Sequence, residues 1–247
     1  MTNKFSCAVV IPVYKSQLND FEHTSLAQAF KILKSYDIIF VAPDGLTAPY
    51  LKMGKCEYFP SSYFNGVESY NNLLVSAAFY KRFLAYSYIL IYQLDAYVFR
   101  DELTDWCTKS YSYIGAPWTY ASFYSRKTKD YAKFGLTYPE VGNGGLSLRS
   151  TRIHYWSSIF YFTFLLRLLF KSLNEDWFWV NIIDRINPSY RIASAAVALK
   201  FAIESDPRHS LEDLKGNLPF GCHGWDKYYD DFWHEYITLK SNFTTIK

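Results

Sequence analysis

Three stretches of the chain are apolar without interruption and rich in β-branched residues: Ala8 to Val13 (AVVIPV), Ile38 to Val41 (IIFV) and Tyr88 to Tyr92 (YILIY). Runs of this kind predict strands buried on both faces. Between them apolar positions recur at helical spacing, with Leu26, Phe30 and Leu33 after the first run and Leu73, Ala77, Tyr80 and Leu84 before the third. The first helix is expected to begin at Thr24 or Ser25. The second is expected to be one long helix, and Pro43-Asp44-Gly45 to stop the second strand. This alternation predicts an α/β fold with a mostly parallel central sheet flanked by helices. Tyr113 to Ala116 and Gly145 to Leu148 then read as short strands, and 153–170 and 175–184 as helical. The second half therefore extends the same sheet in mixed order. No Gly/Ser/Pro-rich linker, internal repeat or low-complexity segment divides the chain, so 1–247 reads as a single domain.

Composition narrows the picture. Apolar residues are 50% of the 247, enough for a sizeable core, and aromatics reach 20%, with 23 tyrosines. Tyr and Trp offer a flat apolar face and a hydrogen-bonding tip, which suits stacking on sugars and bases; biased genome composition would give the same count. The net charge of +3 is small and dispersed, with no Lys/Arg run, which argues against nucleic acid. Cys7, Cys56, Cys107 and Cys222 lack CxxC spacing and read as reduced thiols of a cytosolic protein. No signal peptide is visible at Met1 to Ser6. The apolar run Ile153 to Phe170 is short for a bilayer span and is interrupted by His154 and Arg167. It reads as a buried or partly exposed helix, or as one lying on a membrane surface with Trp156, Phe160, Phe164 and Leu168 as its outer face.

Four places carry candidate chemistry. Gln93 and Asp95 follow the third strand and alternate with Leu94, so they share a face while Leu94 turns to the core. A carboxylate directly after YILIY needs a partner. Asp95 is either a strand-closing cap or a ligand for a hard cation such as Mg²⁺ or Mn²⁺. Glu175 and Asp176 precede Trp177-Phe178-Trp179, either as first-turn acids of a helix or as a carboxyl whose apolar neighbours tune it as a general base. Gly142-Asn143-Gly144-Gly145 is either a tight turn into an edge strand or a backbone that approaches a ligand closely, Gly144 and Gly145 being the nearest points. It is neither GxGxxG nor GxxxxGK[ST]. His223 stands between small residues in PFGCHGW and is a candidate second metal ligand beside Asp95.

Together these pieces resemble a known pattern. VVIPVYKS is similar to the first strand of inverting GT-A glycosyltransferases, and YQLDAYVFRDEL to their DxD strand, with Asp95 at the second Asp and Gln93 replacing the first. NEDWFW resembles the xED motif that carries the acceptor base, GNGGLSLRS the strand beside the acceptor, and PFGCHGW a late His segment used as a metal ligand. The joint order of IPVYKS, YQLDA, YIGAPW, GNGGLSLR and PFGCHGW resembles a glycosyltransferase-like family known only as a domain of unknown function.

The resemblance implies the GT-A nucleotide-sugar-binding fold, with 1–100 as the nucleotide-sugar half and 101–247 as the acceptor half. It implies inverting, metal-assisted transfer of a hexosyl group from a nucleoside-diphosphate sugar, a UDP-sugar foremost, to a glycan or lipid-linked hydroxyl. Asp95 and His223 would hold Mn²⁺ or Mg²⁺, and Asp176 would be the base. Glu175 would orient the acceptor or cap the helix. The donor would be contacted by Tyr14, Asp44, Asn72, Gln93, Asp95, Gly144, Gly145, Trp225 and Lys227, with Trp118 and Trp225 as stacking surfaces. The expected setting is the cytoplasm, with peripheral contact at the cytoplasmic face of a membrane through 153–170. Two rivals stand: a nucleotidyltransferase, which would want a basic Gly-rich loop after the first strand, and a non-catalytic carbohydrate-binding protein, which gives no reason for Glu175-Asp176.

Overall fold

The computed structural model describes residues 6–118, 140–163, 165–166 and 174–240. Its centre is a six-stranded sheet. The strands are β1 (Cys7–Pro12), β2 (Asp37–Pro43), β3 (Lys55–Phe59), β4 (Tyr88–Tyr92), β6 (Tyr113–Ile114) and β7 (Leu146–Ser150), in the order β3-β2-β1-β4-β7-β6. The first four are parallel; β7 runs antiparallel to both β4 and β6. The apolar runs of β1 and β4 are buried, as strands covered on both faces require. β3 escapes the apolar criterion because it is an edge strand whose sequence, KCEYF, buries only Phe59.

A second sheet, of β5 (Ala96–Val98), β9 (Gly221–His223) and β8 (Ala202–Ile203), is joined to the first at a corner. That corner is Gln93-Leu94-Asp95, where the chain leaves β4, turns, and enters β5. Leu94 is buried there, as the alternation predicts. Behind the second sheet Leu199, Ile203, Cys222, Trp225 and Trp233 form a separate apolar cluster. The four cysteines are free thiols.

The helices depart from expectation in ways that have local causes. α1 (Asp20–Ile32) starts before Thr24, because Asn19 and Glu22 form a capping box. The expected long second helix is two, α2 (Val67–Leu74) and α3 (Ala77–Lys81); Ser76 breaks it and caps the second with its hydroxyl on the Phe79 N–H. α4 spans Leu103–Thr108. α5 covers Thr151–Phe160, so 153–170 is not one helix: Phe162 takes a left-handed φ of 47° just beyond. Trp156 and Phe160 stack on each other and are 50% and 68% exposed. Phe164 and Leu168 of the expected outer face lie outside the described residues. The next helix, α6, is α-helical over Glu175–Trp177, π-helical over Phe178–Ile183 and α-helical again over Asp184–Ile186. α7 (Ala195–Phe201) and α8 (Pro207–Asp213) flank β8. Among the described residues no helix is long and apolar enough to cross a membrane.

The capping box at α1 gives a direct test. Asn19 Oδ1 accepts from the Glu22 N–H and the Glu22 carboxylate accepts from the Asn19 N–H, each at 2.9 Å. Asn19→Ala should cost about 1 kcal/mol, lowering the melting temperature by about 2–4 °C in a chain of this size. An unchanged calorimetric midpoint would mean that the cap contributes nothing.

Candidate active site

Parallel α/β sheets bind ligands beyond the carboxyl ends of their strands. At the ends of β1 and β4 a cleft of about 450 Å³ opens between Tyr14 to Glu22 (the loop after β1 and the first turn of α1), the start of α2 at Gly66, Val67 and Tyr70, and the corner Gln93 to Asp95. Tyr14 stands exposed on one wall; Gln93 and Asp95 share the floor, the outcome their alternation predicts.

Beside Asp95 lies His223, delivered by β9, whose residue His223 pairs in register with Ala96. His223 Nε2 is 3.1 Å from Asp95 Oδ1 and 3.4 Å from Gln93 Oε1. Its Nδ1 faces Glu204 Oε1 at 3.4 Å and Asn143 Nδ2 at 3.0 Å. Burial works against a charged imidazole, but Asp95 and Glu204 outweigh it and raise the His223 pKa to about 10. Burial likewise pushes Asp95 up; the His223 charge and hydrogen bond, with the Lys227 charge, more than reverse this and hold it below the usual carboxylate range.

The glycine loop makes this packing feasible. A Cβ on Gly145 would lie 1.9 Å from His223 Nε2, and one on Gly144 would lie 2.2 Å from Glu175 Oε1. Asn143, with a left-handed φ of 63°, accepts the Gly145 N–H on its own Oδ1 at 2.9 Å, which turns its Nδ2 toward His223. The Gly144 N–H donates to Asp176 Oδ2 at 3.1 Å. Asp176 is half-buried, between a buried Glu175 and a buried Trp177. Burial first, and the neighbouring Glu175 charge second, raise its pKa to about 7.

Several expected residues sit elsewhere. Glu175 is 3% exposed, and both its oxygens accept from Arg149 at 2.8 Å, so its carboxylate neither orients an acceptor nor caps the helix. Trp225 is fully buried with its indole N–H on Ser25 Oγ; it supports the second sheet and has no face free for a sugar. Asp44 is exposed at the end of β2, outside the residues lining the cleft. Asn72 does not line it either, whereas its buried neighbour Asn71 accepts the Glu175 N–H. Lys227 is exposed and acts on Asp95 through its charge. Trp118 is half-buried, its ring close enough that a Cβ on Gly142 would meet it at 2.0 Å. Asn143, Arg149, Glu204 and Tyr70 were missed. No local signal marks Glu204 or Tyr70, while Asn143 and Arg149 lie inside GNGGLSLR.

Among the described residues no three His, Cys, Asp or Glu side chains gather as a metal centre. A third donor exists in the Gln93 amide oxygen. Neighbouring ligands on a six-coordinate Mg²⁺ at about 2.1 Å lie about 3.0 Å apart. The His223–Asp95 and His223–Gln93 separations of 3.1 and 3.4 Å are near that spacing; the two oxygen donors suit a hard cation, while the imidazole favours a softer one. The residues present therefore fit a divalent ion, provided His223 releases its proton.

Residues 54–223, more than half the chain, match a family model described as protein of unknown function (DUF5672). No curated protein sequence matches. Solved structures give a fold likeness at low identity. The glycosyltransferase GlyE of Streptococcus pneumoniae aligns at TM-score 0.54 and 12% identity, over 89% of this chain and 54% of that one. This chain thus spans about half the length of GlyE. Mouse xyloside xylosyltransferase 1 aligns at TM-score 0.53 and 13% identity, over 89% and 97%. The galactosyltransferase LgtC, solved with donor and acceptor sugar analogues, aligns at TM-score 0.54 and 12% identity, over 87% and 86%. The fold is of the GT-A glycosyltransferase type.

The elevated Asp176 pKa has a consequence for stability. An unfolded aspartate titrates near about 3.9, the folded one near about 7. Between those values the folded state keeps a proton that the unfolded chain has lost, so folding stability falls as pH rises through the window. Asp176→Asn escapes this loss. Its melting temperature relative to wild type should climb by several degrees between pH 4 and pH 8; a constant difference would refute the shift.

Proposed function

The chain belongs to the DUF5672 family of proteins of unknown function, and from that premise we propose that it is an inverting glycosyltransferase. It would move a sugar from a nucleoside-diphosphate sugar, UDP-linked by preference, to a hydroxyl of a glycan or glycolipid. One observation carries the reading: the Asp176 carboxyl, its pKa raised to about 7, is held by the Gly144 N–H, next to the Gly145 backbone on which His223 packs, and His223 in turn meets Asp95 on the floor of the cleft. A group poised near neutrality can both take and release a proton at working pH.

Tyr14 offers an exposed ring for the base. Gln93, Asp95 and His223 are the residues that would hold Mn²⁺ or Mg²⁺, which when bound supplies Lewis-acid neutralisation of the leaving diphosphate. Asp176 takes the acceptor hydroxyl's proton as that oxygen attacks the anomeric carbon on the face opposite the diphosphate, inverting the centre in a single displacement. Gly144 and Gly145 keep the wall between these stations to the thickness of a backbone.

Two variants and one product test this. Asp95→Asn should abolish Mn²⁺-dependent donor binding in calorimetry while the fold persists. Asp176→Asn should lower turnover by about 10²- to 10⁴-fold with donor affinity unchanged. NMR of the product should show the anomeric configuration opposite to the donor's. A retained configuration, or a fully active Asp176→Asn, would overturn the reading of Asp176 as base.

The reading includes a lipid-linked acceptor met at a membrane surface. The face of α5 that would lie there carries Arg152, Trp156 and Phe160 at i, i+4 and i+8, all exposed, with no acidic residue in the helix. Trp beside Arg suits an interface with anionic headgroups. In flotation with anionic liposomes the wild-type chain should rise with the vesicles and Trp156→Ser/Phe160→Ser should stay behind. Equal behaviour would remove this face from the proposal.

A further inference from the structure

Among the described residues Arg149 is the largest charged side chain that is completely buried. It stands on β7, and every one of its five N–H donors is engaged. Nε donates to Ser147 Oγ at 2.9 Å; Nη1 donates to Tyr80 Oη at 3.1 Å and Glu175 Oε2 at 2.8 Å. Nη2 donates to Glu175 Oε1 at 2.8 Å and the Gly144 carbonyl at 3.4 Å. The guanidinium also lies over the Tyr113 ring, 5.2 Å from its centroid. No donor is left for a phosphate or a sugar, so the group acts inside the protein. A buried ion pair is a poor source of stability, since apolar side chains of equal volume often do as well or better. Its presence one residue before Asp176 calls for another role.

The connection runs through a single residue, Gly144. The Gly144 carbonyl accepts from Arg149, its missing side chain makes room for Glu175, and its N–H donates to Asp176. Glu175 is in turn fixed by its own N–H on Asn71. We propose that the buried Arg149–Glu175 pair is a positioning device, clamping the Asp176 carboxyl against Gly144 and supplying two opposed charges that set when it loses its proton. The charged and titratable groups facing Asp176 are Glu175 and Glu204, which favour its neutral form, Arg149, which favours its ionised form, and the buried Tyr113 phenol. Arg149 and Glu175 touch no substrate; they act through Asp176. The effect on rate rests on the reading of Asp176 as base, whereas the effect on titration does not.

The opposed charges give opposed predictions. Asp176 is followed by carboxyl ¹³C NMR in wild type, Glu175→Gln and Arg149→Met, with Asp176→Asn to assign the signal, beside pH–rate profiles of sugar transfer. Glu175→Gln should move the Asp176 midpoint and the acid limb of the profile down by about one pH unit, and Arg149→Met should move both up by a similar amount. General damage to the scaffold would move the two variants the same way. Midpoints that coincide with wild type, or shift together, overturn the proposal. Arg149→Lys keeps the charge but loses the bidentate fork, which provides a variant should loss of charge prevent folding. Its midpoint should stay within half a unit of wild type, with kcat down at least tenfold and the donor KM within twofold; wild-type kcat in Arg149→Lys overturns the positioning role. If the wild-type chain transfers no sugar, the proposed function fails, and the NMR midpoints still decide the role of the pair.

Discussion

The approach of side chains to a bare backbone at Gly144 and Gly145 is the constraint on which the site depends. On one side of this dipeptide the His223 ring occupies the space a Cβ would fill; on the other, the Glu175 carboxylate does. Two elements far apart in sequence, β9 and the start of α6, are thereby brought against one stretch of main chain. Asn143 keeps that stretch in shape by turning its side-chain amide oxygen onto the Gly145 N–H. The residue that starts the turn is therefore also a neighbour of the imidazole.

The two sides of the dipeptide have opposite electrostatics. Asp95 and Asp176 are both half-buried, yet Asp95 is held below and Asp176 above the ordinary range. The difference lies in the company each keeps. Asp95 faces an imidazole and a lysine charge, while Asp176 lies beside Glu175 and within reach of Glu204. One carboxylate is thus kept charged and the other kept near its titration point, the separation of roles that acid–base sites require.

How much of this was legible in the sequence follows from what kind of interaction each feature rests on. β1, β2 and β4 announce themselves because strands covered on both faces must be apolar along their whole length. β3 does not, because an edge strand needs only one buried residue. The shared face of Gln93 and Asp95 follows from alternation, and the proximity of His223 to Asp95 was reached only through the order of motifs. Glu175 shows the limit: adjacent acids before three aromatics look equivalent, and only the buried Arg149 distinguishes them. Glu204 is invisible in sequence for the same reason, since its partner lies on another strand. Trp225, expected as a stacking surface, instead fills the core behind the second sheet, because a tryptophan near a glycine turn serves packing as readily as a ligand. The apolar stretch after β7 misled in length, since composition does not reveal the left-handed turn at Phe162.

The π-helical stretch Phe178–Ile183 in the middle of α6 fixes the phase of that helix. A π segment holds more residues per turn than its α flanks. All six of its residues, Phe178 to Ile183, are buried. In an α-helix each residue accounts for about 100° of rotation. Five such residues turn through about 500°, and the six residues of this wider-turned segment cover nearly the same angle, so it takes in one extra residue while the Glu175-Asp176 end keeps its aim. For a chain with this topology, the π segment is thus a splice that absorbs one residue between the acidic pair and the aromatic core without re-aiming the pair.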